Sequence, residues 1–343
     1  MFRFKTMLVA AAAVGAMTAS AFAQEVTLRL HQMLPPQATI PAQALTPWAE
    51  KVMAESDGRI KIELYHAMAL GGTPPQLVDQ VSDGVVDLIW TVIGYTPGRF
   101  PNTEAFELPF IMTNGEATSR AFHEYCEQHC TEDFASMKVI AWHTHGPGLI
   151  HSKTAVDSLE AMAGLKIRGG SRVINEMLVA LGAEPIGMPV PAVSESLSKG
   201  VIDATTIPWE VTPSLRVSEL VSNHTGFSGA NGLYTQTFVF AMNPDSYERL
   251  PDDLKAIIDA NSGIETAAMM GRVMDEGDKV GLQIAEDRGN NIITLDEAET
   301  QRWKDAAEPL IQKWVDEMTG QGMEAQALVD DARALIEKNS AGM

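Results

Sequence analysis

Val85-Val-Asp-Leu-Ile-Trp-Thr-Val92 is apolar at every position except Asp87 and Thr91. A short run rich in Val, Ile and Trp is the profile of a strand covered on both faces, which is the environment of a parallel sheet with helices on either side. Working back from it, residues 25–30 alternate polar and apolar, with Val26, Leu28 and Leu30 on one face. Residues 41–55 place Ala44, Leu45, Trp48 and Val52 on one helical face. Residues 59–65 alternate again, with Ile60, Ile62 and Leu64 inward, and Thr73-Pro74-Pro75 opens a short helix where a missing N–H costs nothing. This strand–helix–strand–helix–strand order predicts a mostly parallel sheet with flanking helices.

A second unit follows the same rules. Residues 137–142 and 149–152 read as strands, 165–169 as a short extended piece, and 171–181 as a helix with Ser171 as N-cap and Gly182 past its end. Residues 193–199 form a helix closed by Gly200, 201–207 a strand ending at Pro208, and 233–241 an alternating strand. Beyond Pro251 the pattern is helical, interrupted at 290–295, and 257–288, free of Pro, predicts one long helix. The fold class expected is α/β: two hinged lobes, each a mixed, mostly parallel sheet with flanking helices, joined by strands and the long helix. Residues 24–146 plus about 235–275 would form lobe I, and 147–234 plus about 276–343 lobe II.

Composition narrows the function. The 343 residues carry 25 Lys and Arg against 45 Asp and Glu, a net charge of −20. A nucleic-acid partner is excluded, because phosphate binding needs clustered basic residues. Arg3 and Lys5, the apolar run 7–17 and Ala21-Phe22-Ala23 fit a secretory signal cut before Gln24. The run is too short for a span of about 20 residues. Cleavage would leave 23 basic residues against 45 acidic ones, or −22, on an exported chain. Cys126 and Cys130 lie four apart, where a helix sets Cα atoms about 6 Å apart; a disulfide or two plain thiols is preferred over a metal site shared with His123.

No Gly-x-Ser-x-Gly elbow, His-Glu-x-x-His pair or Gly-rich phosphate loop is present. Gly169-Gly170-Ser171 before a helix could cradle an anion. Arg168, just ahead of it, reads from position alone either as a surface arginine or as a carboxylate clamp.

Five stretches keep the order and spacing of a known family: Gly71-Gly-Thr-Pro-Pro-Gln76-Leu; Val81-Ser-Asp-Gly-Val-Val-Asp87; Phe106-Glu-Leu-Pro-Phe110; Gly164-Leu-Lys-Ile-Arg168; and Leu197-Ser-Lys-Gly-Val-Ile-Asp203. Across 24–343 the chain resembles the solute-binding subunits of TRAP transporters, the DctP-type family. The resemblance implies two α/β lobes, an organic acid in the cleft between them, and delivery to membrane permease subunits from the periplasm. It assigns the carboxylate clamp to Arg168; with no nucleophile, metal set or cofactor motif in the residues, no cofactor, no metal and no enzymatic activity are expected. The sequence departs from sialic-acid-type members: His145-Gly-Pro-Gly148 replaces a second Arg, Ile207 stands where Asn often precedes Pro208, and Ala192 replaces a Glu. The expected pocket is therefore more apolar, and a sugar acid would leave hydroxyls unpaired at about 1–3 kcal/mol each.

Other pocket candidates follow strand ends: Trp90 and Tyr95, His31 and Met33, His143 and His145, Gly170, and Ile207, Pro208 and Trp209. For the aromatic residues core packing competes with ligand stacking, and for His31 and His145 a structural role competes with ligand contact. An aromatic monocarboxylate such as benzoate, hydroxybenzoate or cinnamate fits these types best. The alternatives are a small 2-oxo or 2-hydroxy acid, with or without a cation, a secreted hydrolase or isomerase using His31, His143 or His145 as base, and a receptor serving a sensor.

Overall fold

The computed structural model describes residues 24–341, so the expected signal at 1–23 lies outside the described residues. In chain order the strands are β1 (Val26–Gln32), β2 (Ile60–Tyr65), β3 (Leu88–Val92), β4 (Lys138–Thr144), β5 (Leu149–Ser152), β6 (Lys166–Gly169), β7 (Glu184–Gly187), β8 (Ala204–Ile207), β9 (Asn223–Phe227), β10 (Thr237–Met242) and β11 (Asn291–Leu295). They form a five-stranded sheet, β2-β1-β3-β10-β4, and a six-stranded sheet, β11-β9-β5-β8-β6-β7. In the first, β1 runs parallel to β2 and β3, while β10 is antiparallel to β3 and β4. In the second, β5 is antiparallel to β8 and β9, and the other pairs are parallel. Each lobe is thus a mixed sheet. The apolar run at 85–92 behaves as expected, since all five residues of β3 are buried.

The helices are α1 (Thr46–Glu55), α2 (Leu77–Ser82), α3 (Gly115–His129), α4 (Arg172–Ala180), α5 (Val193–Lys199), α6 (Thr212–Leu215), α7 (Val217–Leu220), α8 (Pro244–Glu248), α9 (Asp252–Ala260), α10 (Ile264–Asp287), α11 (Glu297–Gly320) and α12 (Ala325–Ser340). Ser171 caps α4 by accepting from the Ile174 N–H, and Gly200 closes α5 in the left-handed region at φ 69°. The first sheet's core includes Leu30, Ile89, Trp90 and Phe240. The second packs around Ile167, Ile174 and Trp303. The chain passes between sheets after β4, after β9 and along α10.

Two expectations are corrected, and of the two cysteine alternatives left open the plain thiols hold. The single helix over 257–288 is two, α9 and α10. Asn261 ends α9, its carbonyl taken by the Trp48 indole at 2.7 Å, and Gly263 turns at φ 91° with its N–H on the Ile140 carbonyl at 2.8 Å. Residues 276–343 do not all belong with the second sheet. Leu328, Val329, Ala332 and Ile336 of α12 join the first core, and Lys338 and Asp331 of that helix pair with Glu124 and His129 of α3. The disulfide is not formed: Cys126 and Cys130 are buried free thiols on the last turn of α3, and burial pushes the Cys126 thiol up.

α10 crosses both lobes at close range. A Cβ on Gly271 would run into the backbone of Gly115 at the start of α3, and one on Gly281 into the Trp209 carbonyl. The same helix thereby holds the first lobe at one end and the segment after β8 at the other.

Candidate functional site

Strand ends from both sheets converge on a narrow slot whose cavity volume is about 20 Å3. The first lobe contributes Met33 and Leu34 beyond β1, Trp90 and Val92 of β3, Tyr95 just after it, His145 after β4, and Gln236 and Phe238 at the start of β10. The second contributes Arg168 of β6, Val190, Ile207 of β8, and Pro208, Glu210 and Val211 beyond it. Because β10 is antiparallel, its first residues meet the carboxyl ends of its neighbours. Open α/β sheets take ligands at that edge.

Arg168 is fully buried. Its Nε–H donates to the Met188 carbonyl at 2.9 Å, Nη1 to the Thr206 carbonyl at 3.2 Å and Nη2 to the Tyr95 hydroxyl at 3.4 Å. A guanidinium carries five N–H groups, so two remain. Among the described residues no carboxylate lies within ion-pair distance of it. The Tyr95 oxygen also accepts from the Val190 N–H at 2.8 Å, so one phenol ties β3's end to the second lobe. Burial pushes that phenol's pKa up, with Arg168 opposing.

The aromatic wall is a stack. Phe238 lies 5.2 Å from Trp90 at 11° and 5.0 Å from His143 at 14°. The Trp90 indole donates to His143 Nε2 at 2.8 Å, and His143 Nδ1–H donates to the Thr144 carbonyl at 3.3 Å. His145 is used up in the same way: Nδ1–H donates to the Gly146 carbonyl and Nε2 accepts from the Gln236 N–H at 3.0 Å. Burial drives both imidazoles down to about 3. Both are neutral rings whose nitrogens are already engaged, a poor arrangement for a base, and only His145 lines the slot.

Seven expected residues meet in the slot: Arg168, Trp90, Tyr95, Met33, His145, Ile207 and Pro208. Three do not. His31 is held by Gln80 at 2.7 Å and the Leu70 N–H at 3.3 Å, away from the slot. Gly170 lines the outer groove instead, and a Cβ there would strike the Gln236 amide, so its smallness makes room for that side chain. Trp209 packs against His151 and His224, with ring centroids 4.9 and 4.8 Å away. Those two histidines share an Nδ1–Nδ1 hydrogen bond of 2.7 Å. Leu34, Val92, Val190, Val211, Phe238, Gln236 and Glu210 were missed. Val92 and Phe238 were within reach of period-two reasoning, since Val92 shares a face with Trp90 and Phe238 pairs with Val92.

Two buried acids frame the site. Glu107 receives the Ser171 hydroxyl from the second lobe and the Thr237 N–H and hydroxyl, at 3.1 and 2.9 Å, from β10. Burial pushes its pKa up to about 7. Glu210 is likewise raised to about 7 by burial, with its Oε2 unpartnered. Among the described residues, no group of three or more His, Cys, Asp or Glu is placed to hold a metal ion, and no helix is long and apolar enough to cross a membrane.

Two α/β lobes shut over an apolar slot with one buried guanidinium are the build of an extracytoplasmic receptor for an organic acid. The chain belongs to the bacterial extracellular solute-binding protein family 7 (DctP), whose profile matches residues 31–317. It is similar to a TRAP solute binding protein of Rhodoferax ferrireducens T118, solved with copurified benzoate: 47% identity, 92% of this chain and 99% of that one, TM-score 0.91. A marine metagenome TRAP solute binding protein, solved with 3-hydroxybenzoate, gives the same values. One from Bordetella bronchiseptica, solved with (R)- and (S)-mandelate, is 29% identical over 91% and 99%, with TM-score 0.84.

Proposed function

We propose that this receptor binds an aromatic monocarboxylate in the slot and delivers it to TRAP permease subunits, working in the periplasm after loss of residues 1–23. The observation that carries the reading is Arg168: a fully buried guanidinium with two N–H groups left over, in a slot whose apolar walls include Trp90, Phe238, Met33, Leu34, Val190 and Ile207. A buried charge is costly unless it is paired. A carboxylate supplies the pair, and a flat ring packs against the aromatic wall once the lobes part to admit it. Gln236, whose buried Nε2 has no partner, adds a second donor for the carboxylate. The solved relatives that hold benzoate and 3-hydroxybenzoate support the same class. The lobes close about the two crossovers and α10, with Tyr95 and Glu107 bridging them when shut.

The test is a thermal-shift and calorimetric panel of aromatic, 2-oxo, 2-hydroxy and sugar acids. Aromatic acids should stabilise, by about 2.7 kcal/mol at a hundred times Kd. Arg168→Ala should weaken binding by about 2–5 kcal/mol, and Arg168→Lys should not restore it, since an ammonium lacks the fork. Stabilisation by sugar acids alone, or unchanged affinity in Arg168→Ala, would overturn the reading.

A further inference from the structure

Resting on the aromatic-acid reading, we propose that Glu210 reads a hydroxyl on the bound acid, so that the receptor favours hydroxylated aromatic acids over unsubstituted ones. Glu210 follows Pro208 in the tight turn beyond β8 and lines the same slot as Arg168. An acid is a costly choice there, because the slot is built to take an anion and an apolar side chain would fill the wall without desolvating a carboxyl. Among the described residues, the Thr39 hydroxyl is the one side chain that reaches this carboxyl, and Oε2 has no partner. The Glu210 backbone is fixed on both sides, its N–H on Asp278 Oδ1 at 2.7 Å and its carbonyl on the Thr39 hydroxyl at 3.0 Å. Its Cβ lies so close to α10 that a Cβ on Gly277 would come within 2.9 Å of it. The backbone and Cβ are therefore held from three directions, while Oε2 is buried and makes no hydrogen bond. Glu210 also forms no ion pair with Arg168, so the two are separate polar features of one apolar slot.

The protonation state suits a neutral hydrogen-bonding partner. Burial holds the Glu210 carboxyl near 7, and the neighbouring Asp278 is pushed well up as well. A neutral carboxyl tolerates an anion in the same slot and can both donate and accept; an ionised one accepts. A phenolic hydroxyl satisfies either form. With the acid group on Arg168 and the ring on the Trp90–Phe238 wall, Oε2 is the unfilled polar position that a ring hydroxyl would complete.

The experiment measures Kd calorimetrically at pH 7 for benzoate, 3- and 4-hydroxybenzoate and the matching methoxybenzoates, on the full receptor and on Glu210→Leu. A site built to hydrogen-bond a hydroxyl discriminates strongly against analogues that lack it. At least one hydroxybenzoate should bind about tenfold or more tighter than benzoate, its methoxy counterpart should lose that advantage, and the benzoate-to-hydroxybenzoate ratio should collapse toward one in Glu210→Leu. A ratio unchanged in Glu210→Leu, a methoxy acid that keeps the advantage, or a wild type that binds benzoate as well as both hydroxybenzoates overturns the proposal while leaving the aromatic-acid reading standing. If Glu210→Leu binds nothing, the wild-type hydroxy and methoxy series decides. A wild type that binds no aromatic acid overturns both.

Discussion

Tyr95 does two jobs with one oxygen: it accepts the Val190 N–H across the cleft and meets the Arg168 guanidinium. Tyr95→Phe keeps the ring but leaves a buried N–H unpaired, at about 1–3 kcal/mol. Because that cost falls on the closed state, the bound acid should escape faster, with affinity down about ten- to a hundredfold and the change mainly in koff. Stopped-flow dissociation rates equal to wild type would refute the bridging role. At this scale the sequence was legible where a motif or a period applied. Arg168 came from a five-residue pattern, and Trp90 from an apolar strand. It failed where the chain leaves regular structure. Beyond Ile207 the backbone enters a 3₁₀ turn of about three residues per turn, so alternation no longer predicts direction. That turn sends Trp209 to His151 and His224 and puts Glu210 on the slot. His31 failed similarly. β1 ends at Gln32, so His31 and Met33, two apart, do not share a face as they would in a continuing strand.

Among the elements, α10 decides most and was read least well. Its split from α9 rests on Asn261 and Gly263, with no Pro to announce it, and the capture of the Asn261 carbonyl by Trp48 comes from a distant part of the chain. The placement of α12 was equally out of reach, because amphipathic spacing shows that a helix has a core face but not whose core it faces. Within α10 the glycines can be tested. Gly271→Ala gains up to about 1 kcal/mol of helix propensity. It also drives a Cβ into the Gly115 backbone, and overpacking typically costs about 1–3 kcal/mol. Backbone cannot step aside as a side-chain tip can, so the second effect should win and the melting temperature should fall. Gly320→Ala at the end of α11 meets nothing within 4 Å and should be neutral or stabilising. Equal melting temperatures for the two variants would mean that the α3–α10 crossing is looser than described.

Over the whole molecule, buried histidines and buried acids pull stability in opposite directions with pH. Burial holds His143, His145 and His151 near 3 and His123 and His224 near 4, against an ordinary 6.5. The unfolded chain takes up protons on these rings below 6.5 and the folded one does not. Their contribution is therefore present above 6.5 and lost as pH falls toward 4. Glu107 and Glu210, raised to about 7, act in reverse: their contribution is present below 4.5 and lost as pH rises through 7. Between 4.5 and 6.5 five rings oppose two glutamates, with His31 and His66 lowered in support of the rings and Asp278, Asp275 and Asp133 raised in support of the acids. The rings should win, so the melting temperature should drop on acidification from pH 7 to 5 and unfolding at pH 5.5 should take up protons. Glu107→Gln removes one opposing group without adding a titrating one, and should make that drop steeper. A melting temperature that rises on acidification, or net proton release on unfolding at pH 5.5, would show that the two lobes do not bury these rings as tightly as the closed slot requires.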